Sequence, residues 1–231
     1  MGASTAEQAM NEITIGYAVR VSSATKYLEN VAKLSTDLDG SGTISETEEE
    51  TVTVSRSWTA EELPQTGFAP GVVTVLPDQP LDLAYDPTSV TLSIPQINVD
   101  ASVTTVPFRD GSWDVTWLGN EVGYLEGSAY PTWNGNTVLT AHNTTAYNEP
   151  GLFVDLNQLR YGDTLVIHAY GQTYTYEVRE KLVIGQGNLA AAFKEQRLDW
   201  VTLMTCTNFN AEKGEYVNRL LIRAVLISVS Q

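Results

Sequence analysis

From Ser89 onward the chain is a succession of short alternating runs broken by Gly, Pro and Asn, and that pattern leaves few folds open. Residues 90–95 and 97–103 alternate at period 2. Residues 113–117 lead into a glycine-rich stretch from Gly119 to Gly127, and residues 137–142 follow the turn Asn134-Gly135-Asn136. Residues 164–170 and 172–178 flank Gly171, a hairpin signal. The final strands are predicted at 201–206 and 219–229. Helical signal is confined to single turns within 151–159 and 189–197. Eight or so strands with this punctuation predict one all-β barrel or sandwich over residues 88–231.

Composition narrows the partners. The 231 residues carry 13 basic against 28 acidic side chains, a formal net charge of −15, which argues against nucleic acid and anionic membrane surfaces. No apolar run is long enough to predict a membrane span. Residues 1–7 have neither the basic nor the apolar region of a signal peptide, and the Met-Gly start fails the myristoylation spacing. A single cysteine, Cys206, excludes an intrachain disulfide and leaves the redox compartment open.

Residues 1–58 read as a separate β segment. Residues 13–21 and 51–54 alternate, while 28–34 fits a strand or a short helical turn. The runs ITIGYAVRVSS, LENVAKLS and TVTVSRSW resemble the closing strands of β-sandwich repeat domains of bacterial surface proteins, covering about the last half of such a domain. Between them, residues 37–48 fit the spacing of an EF-hand calcium loop, with Asp37, Asp39, Ser41, Thr43, Ser45 and Glu48 as candidate ligands and Gly42 at the sharp turn. The flanks are strand-like rather than helical. The two readings are therefore a structural calcium site and a metal-free acidic hairpin loop. Residues 59–87 carry Pro64, Pro70, Pro77, Pro80 and Pro87 and read as a linker, with Leu63-Pro64-Gln65-Thr66-Gly67 inside it.

A lone cysteine is ordinarily a small buried hydrophobe. Cys206 ends an apolar strand, and a nucleophilic role would need a histidine and an anion-stabilising group nearby. His142 ends a strand and enters the polar loop Asn143-Thr144-Thr145, a common position for site residues. His168 lies mid-strand, where structural or exposed histidines are usual. Arg219 and Arg223 are four apart in one strand and so share a face. Their forked donors suit a peptide carbonyl or an oxyanion, and equally a surface ion pair.

The segments NTVLTAHN, FVDLNQLRYGDTLVIH, YTYEV, VTLMTC and VNRLLIRAVLI, in this order, resemble a sortase over about residues 89–231. The resemblance implies a closed eight-stranded β-barrel and a cysteine transpeptidase. Carried over, Cys206 matches the nucleophile, His142 the catalytic histidine and Arg219 the catalytic arginine, with Arg223 as the alternative. Ala141 and Thr205 become substrate-binding neighbours, the Thr205 hydroxyl helping Arg219 with the oxyanion. The resemblance implies cleavage of an LPxTG sorting motif between Thr and Gly through a thioester, then transfer to a cell-wall peptide amine or a pilin lysine. No cofactor is required. Partners are LPxTG-bearing surface proteins at the bacterial cell surface, with a membrane tether that this chain does not carry. Residues 63–67 match the motif such enzymes cleave, yet a Pro-rich linker follows instead of an apolar span and basic tail. They are thus a candidate pseudo-substrate, inhibitory or self-cleaved, or an unused copy. A Cys-His peptide hydrolase and a non-catalytic surface adhesion module are the rival readings.

Overall fold

The computed structural model describes residues 27–35, 49–57, 61–76, 86–194 and 196–231. The calcium-loop reading at 37–48 and the alternating run at 13–21 lie outside the described residues. Strands β1 (Tyr27–Ser35) and β2 (Glu49–Ser57) pair antiparallel, with Tyr27 opposite Ser57. The run 28–34 is therefore strand rather than helical turn.

Eight further strands close a barrel: β3 (Asp86–Ile94), β4 (Val99–Val106), β7 (Val122–Leu125), β8 (Gly135–Thr140), β9 (Thr164–Ala169), β10 (Gln172–Gly185), β11 (Asp199–Asn210) and β12 (Glu215–Ser230). Their order around the barrel is β10-β12-β11-β8-β7-β4-β3-β9. A two-strand hairpin, β5 (Phe108–Arg109) with β6 (Ser112–Trp113), one α-helical turn, α1 (Leu189–Ala192), and two 3-10 turns, Pro95–Ile97 and Leu156–Gln158, complete the described elements. Several boundaries differ from the sequence reading: β7 falls inside the glycine-rich stretch 119–127, and β10 and β11 run on to Gly185 and Asn210. The barrel takes in the end of the predicted linker, because Asp86 and Pro87 pair with Thr105 and Thr104. The predicted strand at 113–117 stops at Trp113. There Asp114 accepts from the Thr116 N–H at 3.0 Å and from the Trp117 indole at 3.1 Å, closing a local turn that competes with the ladder.

Alternation sorts the central strands into two cores. Val201 and Leu203 of β11, Leu139 and Ala141 at β8, and Leu220, Ile222 and Ala224 of β12 fill the barrel interior. The residues between them, Val138, Met204 and Leu221, face outward into a second cluster with Leu63, Trp113, Val115, Leu118 and Ala192. These strands are buried on both faces, so they read as continuous apolar runs. The outer face of the β8-β11-β12 sheet is where the site lies.

Candidate active site

Register brings the three predicted residues together. Across the antiparallel pair of β11 and β12, Cys206 lies directly opposite Arg219. Across the parallel pair of β11 and β8, Met204 lies beside Thr140, so two residues further along each strand Cys206 and His142 reach the same level. Period-2 alternation gives all three the outward direction of Met204, Leu221 and Val138. The same alternation turns Ala141 and Thr205 into the barrel wall. The Thr205 hydroxyl donates to the Ala141 carbonyl at 2.9 Å, so it ties β11 to the residue before His142 instead of facing the site. The oxyanion role expected of that hydroxyl finds no support in its direction.

The cleft above these residues is filled by the chain's own 63–67 segment. Arg219 donates from Nε to the Pro64 carbonyl at 2.9 Å and from Nη2 to the Leu63 carbonyl at 3.1 Å. Its Nη1 donates to the carbonyls of Tyr216 and Asn218 at 3.0 and 3.1 Å. Leu63 is 2% exposed in the outer cluster, and its N–H donates to the Gln186 carbonyl at 2.8 Å. Gln65 is exposed; its Nε2 donates to the Tyr216 carbonyl at 3.3 Å and its Oε1 accepts from the Cys206 thiol at 3.4 Å. Thr66 meets the cysteine on two sides. Its N–H donates to Cys206 Sγ at 3.0 Å, and its hydroxyl accepts from the Cys206 N–H at 2.8 Å. The Thr66 carbonyl accepts from the Asn143 N–H at 2.7 Å, and the Phe68 N–H then donates to the Thr144 carbonyl at 3.0 Å. The linker thus pairs briefly with the loop that follows His142. That loop is held by bonds from Phe153 N–H to the His142 carbonyl and from Gly151 N–H to the Asn143 carbonyl.

Seating the segment dries the site. His142 is 2% exposed, the Phe68 ring lies 5.3 Å from it centre to centre, and neither imidazole nitrogen has a hydrogen-bond partner among the described residues. Burial lowers the His142 pKa, with the nearby Thr66 and Val115 backbone pulling the other way without hydrogen-bond geometry. Burial also pushes the Cys206 thiol up, against the Arg219 charge and the Thr66 hydrogen bonds that pull it down. Both directions favour a neutral thiol and a neutral imidazole in this plugged arrangement. Among the described residues Arg219 carries no carboxylate partner. Burial lowers its pKa while Cys206, Glu62 and Glu215 oppose, and carbonyl dipoles receive four of its five N–H donors.

The remaining predicted residues stand elsewhere. Arg223 is 1% exposed and bonded to Glu180 Oε2 at 2.8 Å, to Thr202 Oγ1 at 3.4 Å and to the Lys194 carbonyl at 3.3 Å, with the Trp200 ring beneath it. It is a structural neighbour four residues along from Arg219. His168 is exposed on β9, its Nδ1 3.2 Å from the Thr173 hydroxyl. Among the described residues no group of three or more His, Cys, Asp or Glu could hold a metal ion, and no helix is long and apolar enough to cross a membrane. Two contributors were not legible in the sequence. The Asn143 N–H is a backbone group and leaves no compositional signal. Tyr216 is one of eleven tyrosines, and nothing in its local sequence marks it out.

Comparison with known proteins agrees with this geometry. The family model described as the sortase domain matches residues 92–227. Sortase D of Bacillus subtilis (strain 168) is 28% identical over 119 residues, covering 52% of this chain and 54% of that protein. The structure of sortase A from Corynebacterium diphtheriae superposes with a TM-score of 0.51 at 28% identity, covering 60% of each chain. Sortase C-1 from Actinomyces oris gives 0.51 at 29% identity, covering 62% of this chain and 75% of that one. The chain therefore spans about half the length of the curated relative, and the likeness falls on the barrel. With the domain match covering more than half of its residues, the chain belongs to the sortase family.

Proposed function

We propose that this chain is a cysteine transpeptidase that cleaves Leu-Pro-x-Thr-Gly motifs between Thr and Gly. The observation that carries this reading is the seating of its own Leu63–Gly67 between Cys206 and Arg219. A substrate lying as this segment lies would present its Leu and Pro carbonyls to Arg219, its leucine to the outer apolar cluster, its variable side chain to the exposed rim beside Tyr216 and Cys206, and its threonine to Cys206. Cys206 Sγ would attack the threonine carbonyl carbon, its proton passing to His142. The developing oxyanion would be held where the Thr66 oxygen now meets the Asn143 N–H. His142 would return the proton to the departing glycine nitrogen, leaving a thioester. A primary amine would then attack, lose its proton through His142 and release the thiol. The Arg219 fork is a binding and orienting group in this scheme, since its donors reach the Leu63 and Pro64 carbonyls rather than that of Thr66.

Residues 63–67 then regulate the enzyme by occupying its cleft, and an external substrate has to displace them. The natural substrates are surface proteins carrying the motif, the acceptor a cell-wall peptide amine or a pilin lysine, and the setting the bacterial cell surface. Calcium at Asp37–Glu48 would serve the N-terminal segment and no chemical step. The test is incubation with a fluorogenic Leu-Pro-Gln-Thr-Gly peptide, with and without a diamine, followed by mass spectrometry of peptide and protein. The expected products are cleavage after Thr, an amine adduct when the diamine is present, and neither with Cys206→Ala. Water-only products under saturating amine would make the chain a hydrolase. An unreactive Cys206 together with uncut peptide would leave only a binding module. A wild-type mass that drifts by cleavage after Thr66, unlike that of Cys206→Ala, would make the linker a substrate rather than a plug.

A further inference from the structure

Glycine at position 67 is not required by its own backbone. Its φ lies outside the left-handed range, which Gly71, Gly119 and others do occupy. What excludes a larger residue is a side chain. A Cβ added to Gly67 would fall 2.7 Å from Cε2 of Tyr216, 3.1 Å from Cδ2 and 3.3 Å from Cζ. The first of these separations lies well inside van der Waals contact, so either the ring or the segment has to move.

The ring is poorly placed to give way. Tyr216 is 5% exposed. Its hydroxyl lies 2.9 Å from Thr144 Oγ1 and donates to Asn143 Oδ1 at 3.3 Å, both on the loop after His142. Its ring packs edge-on against Phe209, 5.1 Å between centres. Its carbonyl receives Arg219 Nη1 and Gln65 Nε2, which pins the main chain as well. The ring is thus braced from β11, from β12 and from the histidine loop, with its edge against the residue that follows the threonine.

We infer that Tyr216 is a specificity-determining residue that selects glycine immediately after the threonine of the cleaved motif. The inference deepens the transpeptidase reading, since it takes an external substrate to lie as residues 63–67 lie. Any side chain at the leaving-group residue would collide with a ring that three elements hold in place, whereas glycine passes beneath it.

Two measurements test it. The first needs no turnover: the rate at which a thiol reagent labels Cys206 in the folded protein reports how firmly the linker is seated. Gly67→Ala should unseat the linker and speed labelling on the order of tenfold or more. In a Tyr216→Ala background, with Tyr216→Leu as a second variant where folding suffers, the same Gly67→Ala change should have little effect. Equal acceleration by Gly67→Ala with and without the ring, or no acceleration with the ring present, would overturn the inference. The second is the ratio of kcat/KM for Leu-Pro-Gln-Thr-Gly and Leu-Pro-Gln-Thr-Ala peptides. It should favour glycine in the wild type and in Tyr216→Phe, and shrink by about tenfold in Tyr216→Ala. A ratio unchanged in Tyr216→Ala would also overturn it. The labelling comparison decides glycine selection by itself, so absence of turnover on both peptides would count against the transpeptidase reading alone.

Discussion

Arg219 is fully buried, charged and, among the described residues, without a carboxylate, so its place in the fold rests on the four of its five N–H donors that reach backbone carbonyls. Two of its carbonyl partners, those of Tyr216 and Asn218, belong to its own strand; the other two, Leu63 and Pro64, belong to the linker. The cleft therefore holds a cation with two donor positions set aside for a peptide main chain. Lysine offers a point charge in place of the fork and cannot serve two carbonyls in fixed geometry. Arg219→Lys is expected to lower kcat/KM on the fluorogenic peptide by about 10²-fold or more. A loss under threefold would remove Arg219 from substrate binding. Thermal unfolding measured beside the kinetics separates this from a folding defect, because the bonds to Tyr216 and Asn218 also hold the start of β12.

At the scale of elements, the linker behaves as a displaced strand end rather than a spacer. It makes three backbone hydrogen bonds with the loop after His142, at Thr66, Phe68 and Thr74, and drops one leucine into the outer cluster. Burying a leucine stabilises by roughly 1.5–3 kcal/mol, so Leu63→Asp should shift the balance between seated and free linker by about one to two powers of ten. Cys206 labelling and turnover of external peptide should both rise. The sign of the accompanying pH effect follows from burial, which holds the thiol pKa up while the segment is seated. Freeing the linker re-admits water, lowers that pKa and moves the labelling profile to lower pH. Labelling that is neither faster nor shifted would mean that the segment does not gate the cysteine. The proline-rich composition of 59–87 was legible as an absence of regular structure, and that much holds for 61–76. Its docking was not, because it depends on Arg219 lying more than 150 positions away in sequence.

For the molecule as a whole, the barrel interior carries a buried acid at the same level as the core apolar residues. Asp199, 4% exposed, accepts from the Tyr176 hydroxyl at 2.8 Å through Oδ2, while Oδ1 has no partner in the described residues. Burial pushes the Asp199 pKa up to about 6, the Tyr176 bond opposing, and drives the Tyr176 phenol up as well. An acid whose folded pKa lies above its unfolded value binds its proton more tightly when folded, so it stabilises most below the unfolded value of roughly 4 and loses that contribution as pH rises to about 6. Melting temperature measured from pH 4 to 7 should therefore contain a component that falls with pH through this window and is flat above it. Asp199→Asn should remove that component. A wild type and an Asp199→Asn variant with parallel pH profiles would show that Asp199 titrates normally in the fold.

The amino-acid sequence determined the all-β class and the hairpin at Gly171, because each rests on a local pattern, whereas Cys206, His142 and Arg219 were singled out by the resemblance of whole segments to the sortases. Alternation at period 2 gave the facing of Arg219 relative to Arg223, and the strand-end position of His142 is visible in a dozen residues. What tertiary structure decided is everything that depends on register between distant strands. It alone aligned Cys206 with Arg219, turned Thr205 into the barrel wall, gave Arg223 to Glu180 and set the Tyr216 ring against Gly67. The reason is physical: a one-residue slip between β11 and β12 would exchange their facing residues, and only the packing of two cores on opposite faces of the same strands prevents it.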